Sequence, residues 1–460
     1  MDITTDELNT CLNVLQRVSE DPSLIDDDER FKGLITKIHK EGKKAVRRAS
    51  RTEIQRQDKE LKQKALLVHN QLSAKRVSHE KNQSAPFRGE LNRPELCYIC
   101  KRSYTKIHFF YHLLCPECAT FNYQKREQRT DLIGRVALIT GGRIKIGYQT
   151  ALRMLRDGAR VIVTTRFPAD CALKFRGEED FDSWNDRLDI YGLDLRNIHA
   201  VESFAEHLLS EEKSLDIIVN NAAQTIKRPK AFYRRELKHE SNRRNLAAEV
   251  RRLIKGGGDY KLLPEERRTQ LNEARQLQDL FFPEGELDPY GQQLDKRSIN
   301  SWMLRLHEIT DLELFEVMLV NAAAPFSLNS KLKPLLKGST FNQRFIVNVS
   351  AMEGQFGRES KTMFHPHTNM AKAALNMMTR TSAQDYALDN IFMNSVDTGW
   401  ITDENGYDKR LRLRGMNGFF TPLDVIDGMA RIYDPIVQTI ENPDKPIYGQ
   451  FLKDYSPHPW

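Results

Sequence analysis

The hydrophobic positions after Gly134 fall into short apolar runs that alternate with amphipathic stretches of helical periodicity. The first run ends in a glycine-rich turn, TGGRIKIG, which is followed by an amphipathic stretch, YQTALRMLRDGA, and a second run, VIVTT. In chain order the apolar runs occupy residues 136–140, 161–165, 188–195, 215–223, 344–350 and 391–396. Strands that alternate with helices in this way predict an α/β domain with a doubly wound parallel sheet.

The first 130 residues have a different pattern. Residues 31–82 contain few glycines or prolines and many charged side chains, which predicts a helix. The chain therefore divides into a charged helical region (1–90), a small module (91–130) and the α/β domain (131–460). No apolar run of about 18 residues is present, so no membrane span is predicted. The N-terminus lacks the pattern of a secretory signal, so a cytoplasmic protein is expected, with the nucleus as the alternative.

The net charge of +7 arises from the front of the chain. Residues 1–36 hold 3 basic and 9 acidic side chains, whereas residues 37–130 hold 22 basic and 9 acidic ones. A basic surface of this kind is compatible with an acidic partner, either a protein or a nucleic acid, bound through residues 37–130. The preferred interpretation is the solvated face of a long helix, which needs no partner, because runs of charge usually only solvate a helix.

Four cysteines form two Cys-x-x-Cys pairs, and 14 residues separate the pairs. Two thiolates on a tight turn can hold one face of a zinc ion, and a second pair completes a tetrahedron. A structural Zn²⁺ site in a zinc-ribbon-like module is therefore predicted, with the ligands Cys97, Cys100, Cys115 and Cys118. His108 and His112 lie between the pairs. They are interpreted as ordinary residues, because four thiolates already fill a structural zinc site.

The α/β domain resembles the short-chain dehydrogenase/reductase family, whose motifs occur in family order over residues 131–460. The matching residues are Thr140-Gly141 and Gly147 after the first strand, Asp194 after the third, Asn220-Asn221-Ala222-Ala223 after the fourth, Asn321, the NVSA segment at 348–351, Lys372 and Gly399. The resemblance implies a Rossmann-type sheet, a dinucleotide cofactor and an oxidoreductase activity. It also implies a possible homo-oligomer.

The resemblance places the cofactor pyrophosphate against the glycine-rich turn and the helix N-terminus that follows it. Lys145 replaces a glycine that is usual in the family. Arg166 stands where an acidic residue would hold the NAD ribose, and with Arg143 nearby it favours NADP over NAD. Asp194 is expected beside the adenine, or as a helix N-cap. The implied cofactor-binding residues are Thr140, Gly141, Arg143, Lys145, Ile146, Gly147, Arg166, Asp194, Asn221, Ala222, Lys372 and Gly399.

The resemblance weakens at the catalytic residues, which in the family are Asn, Ser, Tyr and Lys. Asn321 and Lys372 match, but Thr368 stands at the tyrosine position, and an aliphatic hydroxyl is too weak an acid to replace a phenol. The serine position aligns with Ala351, and Ser350 is one residue earlier.

Two histidines near this position offer another proton donor. His365 lies seven residues before Lys372, at the spacing that the related enoyl reductases use for their tyrosine, and His367 adjoins Thr368. A histidine can act as an acid or a base near neutral pH, although both can equally be loop residues. The candidate catalytic residues are Asn321, Ser350, His365, Thr368 and Lys372.

An insertion of about 70 residues (228–300) separates the fourth strand from Asn321. Residues 227–268 hold 14 basic and 6 acidic side chains and predict one or two helices. Since the loop after the fourth strand opens at the ligand-binding edge of the sheet, the insertion is expected to be a lid or a substrate-recognition element. The alternative is an elaborated surface or an oligomer contact.

Three functions are compatible with these patterns. The first is an NADP-dependent oxidoreductase that acts on a small carbonyl or alcohol substrate and carries an accessory zinc module. The second is a catalytically lapsed nucleotide-binding regulatory or scaffold protein, which recruits an acidic partner through its basic zinc module. The third is a nucleic-acid-binding protein, although no base-reading motif is present.

Overall fold

The computed structural model describes residues 3–72, 86–256, 279–358 and 361–460. The strands, in chain order, are β1 (Phe87–Leu96), β2 (Ser103–His108), β3 (Val136–Thr140), β4 (Arg160–Thr165), β5 (Leu188–Gly192), β6 (Ile217–Asn220), β7 (Ile254–Lys255), β8 (Arg344–Ser350), β9 (Ile391–Asp397), β10 (Phe451–Lys453) and β11 (Ser456–His458). Strands β1 and β2 form an antiparallel pair, and the others form one sheet of nine strands. The predicted apolar runs contain β3, β4, β5, β6, β8 and β9, which confirms the α/β prediction.

The strands of the large sheet follow the order β11-β10-β9-β8-β6-β3-β4-β5-β7. Their pairings are parallel except that of β10 with β11. Strand β3 has β4 on one side and β6 on the other, so the strand order reverses at β3. In an open parallel sheet, ligands bind at the carboxyl ends of the strands beside such a reversal.

The described residues also form helices, some of which cover the two faces of the sheet. In chain order they are α1 (Thr5–Glu20), α2 (Glu29–Gln63), α3 (Leu66–Leu72), α4 (Pro116–Glu127), α5 (Lys145–Arg156), α6 (Pro168–Arg176), α7 (Ile198–Glu211), α8 (Arg234–Ser241), α9 (Ala248–Arg251), α10 (Asp311–Met318), α11 (Ala324–Lys331), α12 (Lys333–Lys337), α13 (Pro366–Leu388), α14 (Tyr407–Asn417) and α15 (Val425–Glu441). Apolar side chains of α5, α6 and α15 fill the core on one face, and those of α7, α11 and α13 fill it on the other. The sheet is therefore doubly wound.

The front of the chain packs against the end of the α/β domain. We call β1, β2 and α4 with their connections (residues 87–127) the cysteine module. Its buried side chains, among them Phe110 and Tyr111, share one hydrophobic core with Ile401, Leu423 and Val425. The cysteine module and the sheet domain therefore have a common interior.

A buried ion pair strengthens this junction. The guanidinium of Arg126, in α4, has its Nη1 atom 2.6 Å from Asp424 Oδ1 and 2.9 Å from Asp427 Oδ1. Tyr111 donates a hydrogen bond to the same Asp427. Because Arg126 and Asp427 are both buried, the charge of each depends on the other.

The basic run of the front segment lies on α2, a helix of 35 residues that is about 52 Å long at 1.5 Å per residue. Residues 37–53 are exposed, whereas the end of the helix packs against β1. The helix predicted over 31–82 is confirmed up to Gln63 and again at 66–72, and residues 73–82 lie outside the described part of the chain. No helix within the described residues is long and apolar enough to cross a membrane.

The insertion packs beside the carboxyl edge of the sheet. Its predicted helices are present as α8 and the short α9, but Ile254 and Lys255 form the edge strand β7 against β5. The prediction of helix was wrong there, because pairing with an open sheet edge outweighs a local helical pattern. Residues 257–278 of the insertion lie outside the described residues.

Candidate functional site

A cavity of about 1030 Å³ lies at the carboxyl ends of the parallel strands. It is lined by residues of the turn 141–147 after β3, by Arg166 after β4, and by the segments 221–225, 351–353 and 398–405 after β6, β8 and β9. These are the loops that meet at the reversal of strand order. The cavity therefore occupies the position at which this sheet topology binds a ligand.

The glycine-rich turn is held by the strand beside it. The amide of Asn221 donates to the carbonyls of Thr140 and Gly141 at 3.0 and 3.2 Å, and Ala222 N donates to Thr140 Oγ1 at 3.1 Å. A side chain at Gly141 (φ +69°) would come within 2.9 Å of Ala222 Cα, and one at Gly147 within 2.3 Å of Asn221 Nδ2. Both positions need glycine, and the turn leaves the N-terminus of α5 open to the cavity. Ile146 lines the cavity from the same turn.

Lys145 has a left-handed backbone, with φ of +54°, at the position where the family has a glycine. Its ammonium group lies 5.7 Å from the ring centre of Tyr290. Burial raises the pKa of Glu404, but the charges of Lys145 and Arg228 hold that pKa below its usual value. Lys145 thus gives the first turn of α5 a positive charge, and a carboxylate faces it across the cavity.

The side of the cavity next to β4 carries arginines and a tyrosine. Arg166 lies with its guanidinium carbon 4.6 Å from the ring centre of Tyr233, a residue of the insertion. Burial raises the pKa of Tyr233, but the charges of Arg166, Arg228 and Arg143 lower it below its ordinary value. Arg166 and Arg228 therefore bring positive charge to this side of the cavity.

Two residues on this side of the cavity, both predicted to bind the cofactor, form ion pairs or hydrogen bonds with other side chains of the protein. Arg143 is buried, with Nη1 2.7 Å from Asp170 Oδ2 and 3.2 Å from Glu236 Oε1. Asp194 accepts hydrogen bonds from the backbone and side chain of Arg196. The N-cap of α7 is Asn197, so the interpretation of Asp194 as that cap was wrong. Both Arg143 and Asp194 line the cavity.

Of the five candidate catalytic residues, His365 alone lines the cavity. It has φ of +44° and precedes α13, and its ring stacks on Trp302 with centroids 3.8 Å apart and planes 11° apart. His365 Nδ1 lies 3.1 Å from Asn369 Oδ1. If Nδ1 carries a proton toward that oxygen, Nε2 is the nitrogen that exchanges a proton with a ligand. Burial lowers the pKa of His365 below its ordinary value.

The other four candidates lie behind the cavity wall. Asn321 is in a π-helical turn and bridges the backbone of Gln224, accepting at 2.7 Å and donating at 3.0 Å. Ser350 Oγ donates to Asn376 Oδ1 at 2.5 Å. Thr368 is buried, and its hydroxyl makes no hydrogen bond to any described residue.

Lys372 is the fourth of these residues. Its ammonium group donates to the carbonyl of Val349 at 2.7 Å, and burial lowers its pKa to about 8. Gly354 packs directly on the helix backbone at Lys372, where an added Cβ would come within 2.7 Å. The chain between β8 and α13 therefore packs on the backbone of α13 at Lys372. His367, the second histidine candidate, is also buried and does not line the cavity.

The four predicted cysteine ligands converge. Their sulfur atoms all lie within 4.8 Å of one another, and those of Cys100 and Cys115 are 3.6 Å apart. Thiolates about 2.3 Å from a tetrahedral zinc ion stand about 3.8 Å apart, so the arrangement fits that metal. His108 and His112 are buried but do not belong to the cluster, in agreement with the prediction.

Several cavity residues were not found from the sequence. The insertion contributes Arg228 and Tyr233, Trp302 follows it, and the cysteine module contributes Tyr98 and Lys101. The position of the insertion after β6 pointed to the first group. Tyr98 stands between two cysteines, a pattern that indicates only metal binding, so its place in the cavity had no local signal.

Two family models match the α/β domain. The model described as short chain dehydrogenase matches residues 135–251, and the model described as Enoyl-(Acyl carrier protein) reductase matches residues 299–410. The residues between the two matches belong to the insertion. The matched segments contain the glycine-rich turn, Arg166, Asn221, Asn321, His365 and Lys372.

Relatives extend the likeness beyond this domain. The chain is 35% identical to the uncharacterized protein R665 of Acanthamoeba polyphaga mimivirus over 356 residues, which are 74% of this chain and 71% of that protein. It is 34% identical to the retinol dehydrogenase 12 of Bos taurus over 120 residues, which are 25% of this chain and 36% of the bovine protein. A solved short chain dehydrogenase from Burkholderia cenocepacia J2315, in complex with NADP, is 18% identical with a TM-score of 0.45 and covers 70% of this chain and 97% of its own.

Proposed function

Because this chain belongs to the short-chain dehydrogenase/reductase family, we propose that it is an NADP(H)-preferring oxidoreductase that acts on a carbonyl or alcohol substrate. The observation that carries the proposal is that one cavity contains the glycine-rich turn, Arg166 and His365. The first two suit a phosphorylated dinucleotide, and the third is an acid or base that can serve its reaction.

The preference for NADP rests on the charges beside β4. The turn 141–147 would hold the pyrophosphate, and the adenosine would extend toward the ends of β4 and β5. Arg166 is the residue at the end of β4, where it stacks on Tyr233 and retains donors for a 2′-phosphate. Asp194, which lines the same part of the cavity, is held by hydrogen bonds from Arg196.

Proton transfer is assigned to His365. A bound reduced dinucleotide would supply the hydride for the carbonyl carbon of the substrate. His365 would donate a proton to the carbonyl oxygen, and in the oxidative direction its neutral ring would take that proton from the alcohol. The stack on Trp302 and the contact with Asn369 hold the imidazole in one orientation, as a proton donor requires.

The four cysteines would hold a structural Zn²⁺. A full set of thiolates leaves no position for a substrate, so the metal would order the cysteine module. This assignment is tested by the zinc content of the purified chain and by its loss on replacing Cys100 and Cys118 with serine. A protein that is purified folded without stoichiometric metal contradicts the assignment.

The function is tested with the purified full-length chain in two measurements. Titration with NADPH and with NADH, followed by cofactor fluorescence, should give tighter binding of NADPH. Incubation with NADPH and a panel of aldehydes and ketones should show consumption of NADPH that depends on both enzyme and substrate. Equal affinity for the two cofactors contradicts the preference, and absence of binding contradicts the function.

A second function is favoured by the buried positions of Thr368 and Lys372, which would leave the cavity with a nucleotide and no family proton donor. In that case the chain is a nucleotide-binding regulatory or scaffold protein. The exposed basic residues 37–53 of α2 would then recruit an acidic partner. Tight NADPH binding without turnover on any carbonyl substrate would favour this function over the first.

A further inference from the structure

We propose that the turn between the first two cysteines forms a wall of the dinucleotide cavity, and that Tyr98 couples metal binding by the cysteines to dinucleotide binding. We call residues 97–101 the cysteine turn. The inference rests on the proposed function, since it concerns the same cavity. It assigns to the cysteine module a role in binding, beyond the stabilisation of a separate small fold.

The cysteine turn reaches the cavity directly. Tyr98, Ile99 and Lys101 line it together with Gly399 and Trp400, which follow β9. The hydroxyl of Tyr98 accepts a hydrogen bond from the backbone N–H of Trp400 at 3.0 Å. The two residues are 302 positions apart in the chain, so this bond joins two distant segments at the cavity wall.

The backbone at Gly399 is the part of the cavity wall that the contact between Tyr98 and Trp400 affects. Its φ of +81° is a conformation that favours glycine, and a side chain there would come within 2.5 Å of Leu423 and 3.8 Å of the Tyr98 hydroxyl. The backbone at 399–400 therefore packs against both Leu423 and Tyr98. Without the Tyr98 hydroxyl, the N–H of Trp400 loses its hydrogen-bond acceptor and the turn loses one of these contacts.

The position along the cavity follows from the strand order. The pyrophosphate belongs at the turn after β3, and the adenosine extends toward β4 and β5 on one side. The other half of a dinucleotide, which carries the nicotinamide, must then extend across β6 toward β8 and β9. Gly399 follows β9, so Tyr98 acts on the nicotinamide half and not on the adenosine half.

A metal ion would fix the cysteine turn at both ends. Cys97 and Cys100 flank Tyr98 and Ile99, and both sulfurs belong to the four-cysteine cluster. The backbone closes the same turn, since Lys101 N donates to Cys97 O at 3.1 Å and Tyr98 N donates to Leu113 O at 2.9 Å. With the metal bound, the ring of Tyr98 has one position, and the 399–400 turn is ordered before the dinucleotide arrives. This pre-ordering should increase the affinity of the chain for the dinucleotide.

The test compares two tyrosines of the same module by calorimetry on the full-length, zinc-loaded chain. Tyr98→Phe removes the hydroxyl bound to Trp400 N. The control, Tyr104→Phe, removes a buried hydroxyl that donates to His112 O at 2.9 Å and does not reach the cavity. Each variant is titrated with NADPH and with 2′-phosphoadenosine diphosphate ribose, which lacks the nicotinamide.

We expect Tyr98→Phe to weaken NADPH binding about fivefold, the effect of one lost hydrogen bond, and to leave the affinity for the ribose fragment unchanged. Tyr104→Phe should leave both affinities unchanged. In a second arm, zinc is withdrawn from the wild-type chain with a chelator. The affinity for NADPH should fall with the zinc content, while the affinity for the fragment persists.

Each other outcome has a definite meaning. Unchanged NADPH affinity in Tyr98→Phe, or equal losses in the two variants, overturns the role of Tyr98. Metal-free protein that binds NADPH as tightly as the loaded form overturns the coupling, as does a parallel loss of NADPH and fragment binding. A wild-type chain that binds neither ligand overturns the proposed function itself, which is a different result from the loss of nicotinamide-side affinity alone.

Discussion

The imidazole of His365 stacks face to face on the indole of Trp302, the first aromatic residue after the insertion. The backbones of the two segments are also joined, since His365 N donates to Leu304 O at 2.8 Å. The left-handed conformation of His365 is thus stabilised from outside its own helix, as strained residues at functional sites require. The segment after the insertion therefore positions the one candidate catalytic side chain that reaches the cavity.

Replacement of His365 is expected to abolish most turnover. If His365 is the proton donor, His365→Gln should lower the rate of carbonyl reduction by about 100-fold or more, within the usual contribution of general acid catalysis, with little change in NADPH affinity. His199→Gln serves as the control, because His199 is exposed and does not line the cavity. Steady-state kinetics and NADPH titrations check both variants. Equal turnover in His365→Gln and the wild-type chain would exclude the assignment.

The pH dependence of turnover should reflect the protonation of His365. Burial lowers the pKa of His365 from 6.5, although the charge of Glu353 opposes this shift and that of His367 adds to it. Reduction needs the protonated ring, so its rate should fall as the pH rises through a value below 6.5. Oxidation needs the neutral ring and should fall as the pH decreases through the same value. Profiles of rate against pH, measured for reduction and for oxidation, test this prediction. A pH-dependent fall in rate that persists in His365→Gln must come from another titrating group.

Substitutions at Lys145 should separate the effect of its charge on NADPH binding from the effect of its left-handed backbone on stability. A non-glycine residue in the left-handed region costs about 1–2 kcal/mol, and glycine costs about 0.5–1 kcal/mol in lost chain entropy. Lys145→Gly should therefore keep or raise the thermal unfolding midpoint, while Lys145→Ala retains the backbone strain. Both remove the cation and should weaken NADPH binding about tenfold, as for a lost charge-assisted contact. Tighter binding by the glycine variant would mean that the strained turn hinders the cofactor.

Arg166 should determine the choice between cofactors. Arg166→Ala removes the guanidinium that would bind the 2′-phosphate, a loss of about 10- to 100-fold in NADPH affinity, and leaves NADH binding nearly unchanged. Fluorescence titrations with both cofactors measure the ratio. Arg176→Ala is a suitable control, since Arg176 is an exposed residue paired with Glu249 outside the cavity. Equal losses for NADPH and NADH in Arg166→Ala would place Arg166 away from the 2′-position.

The ion pair between Arg126 and Asp427 should dominate the junction of the cysteine module with the sheet domain. Both side chains are buried, and removal of one partner of such a pair costs about 3–5 kcal/mol. Arg126→Met is expected to lower the urea midpoint of unfolding accordingly. Arg176→Met, which breaks an exposed pair, should cost about 0–1 kcal/mol. Similar midpoints for the two variants would show that the buried pair adds little to the junction.

The α/β fold and the cysteine cluster could be predicted because both depend on local patterns. Apolar runs of strand length alternate with helical stretches, and this periodicity located β3 to β6, β8 and β9. The spacing within and between the two cysteine pairs likewise predicted the cluster that the structure shows. Motif order also placed Gly141, Arg166, Asn221 and Gly399 at one edge, since the carboxyl ends of parallel strands meet there.

The sequence by itself therefore determined the fold class, the cysteine cluster and the edge of the sheet at which the cavity lies. Only the tertiary structure decided which side chains reach the cavity. Asn369 lines the cavity with His365, whereas Thr368 and Lys372 are buried outside it, and Lys372 donates to the carbonyl of Val349 in β8. Tyr98 and Trp400 meet only because the cysteine module packs on the sheet domain, and no local pattern encodes a contact across 302 residues.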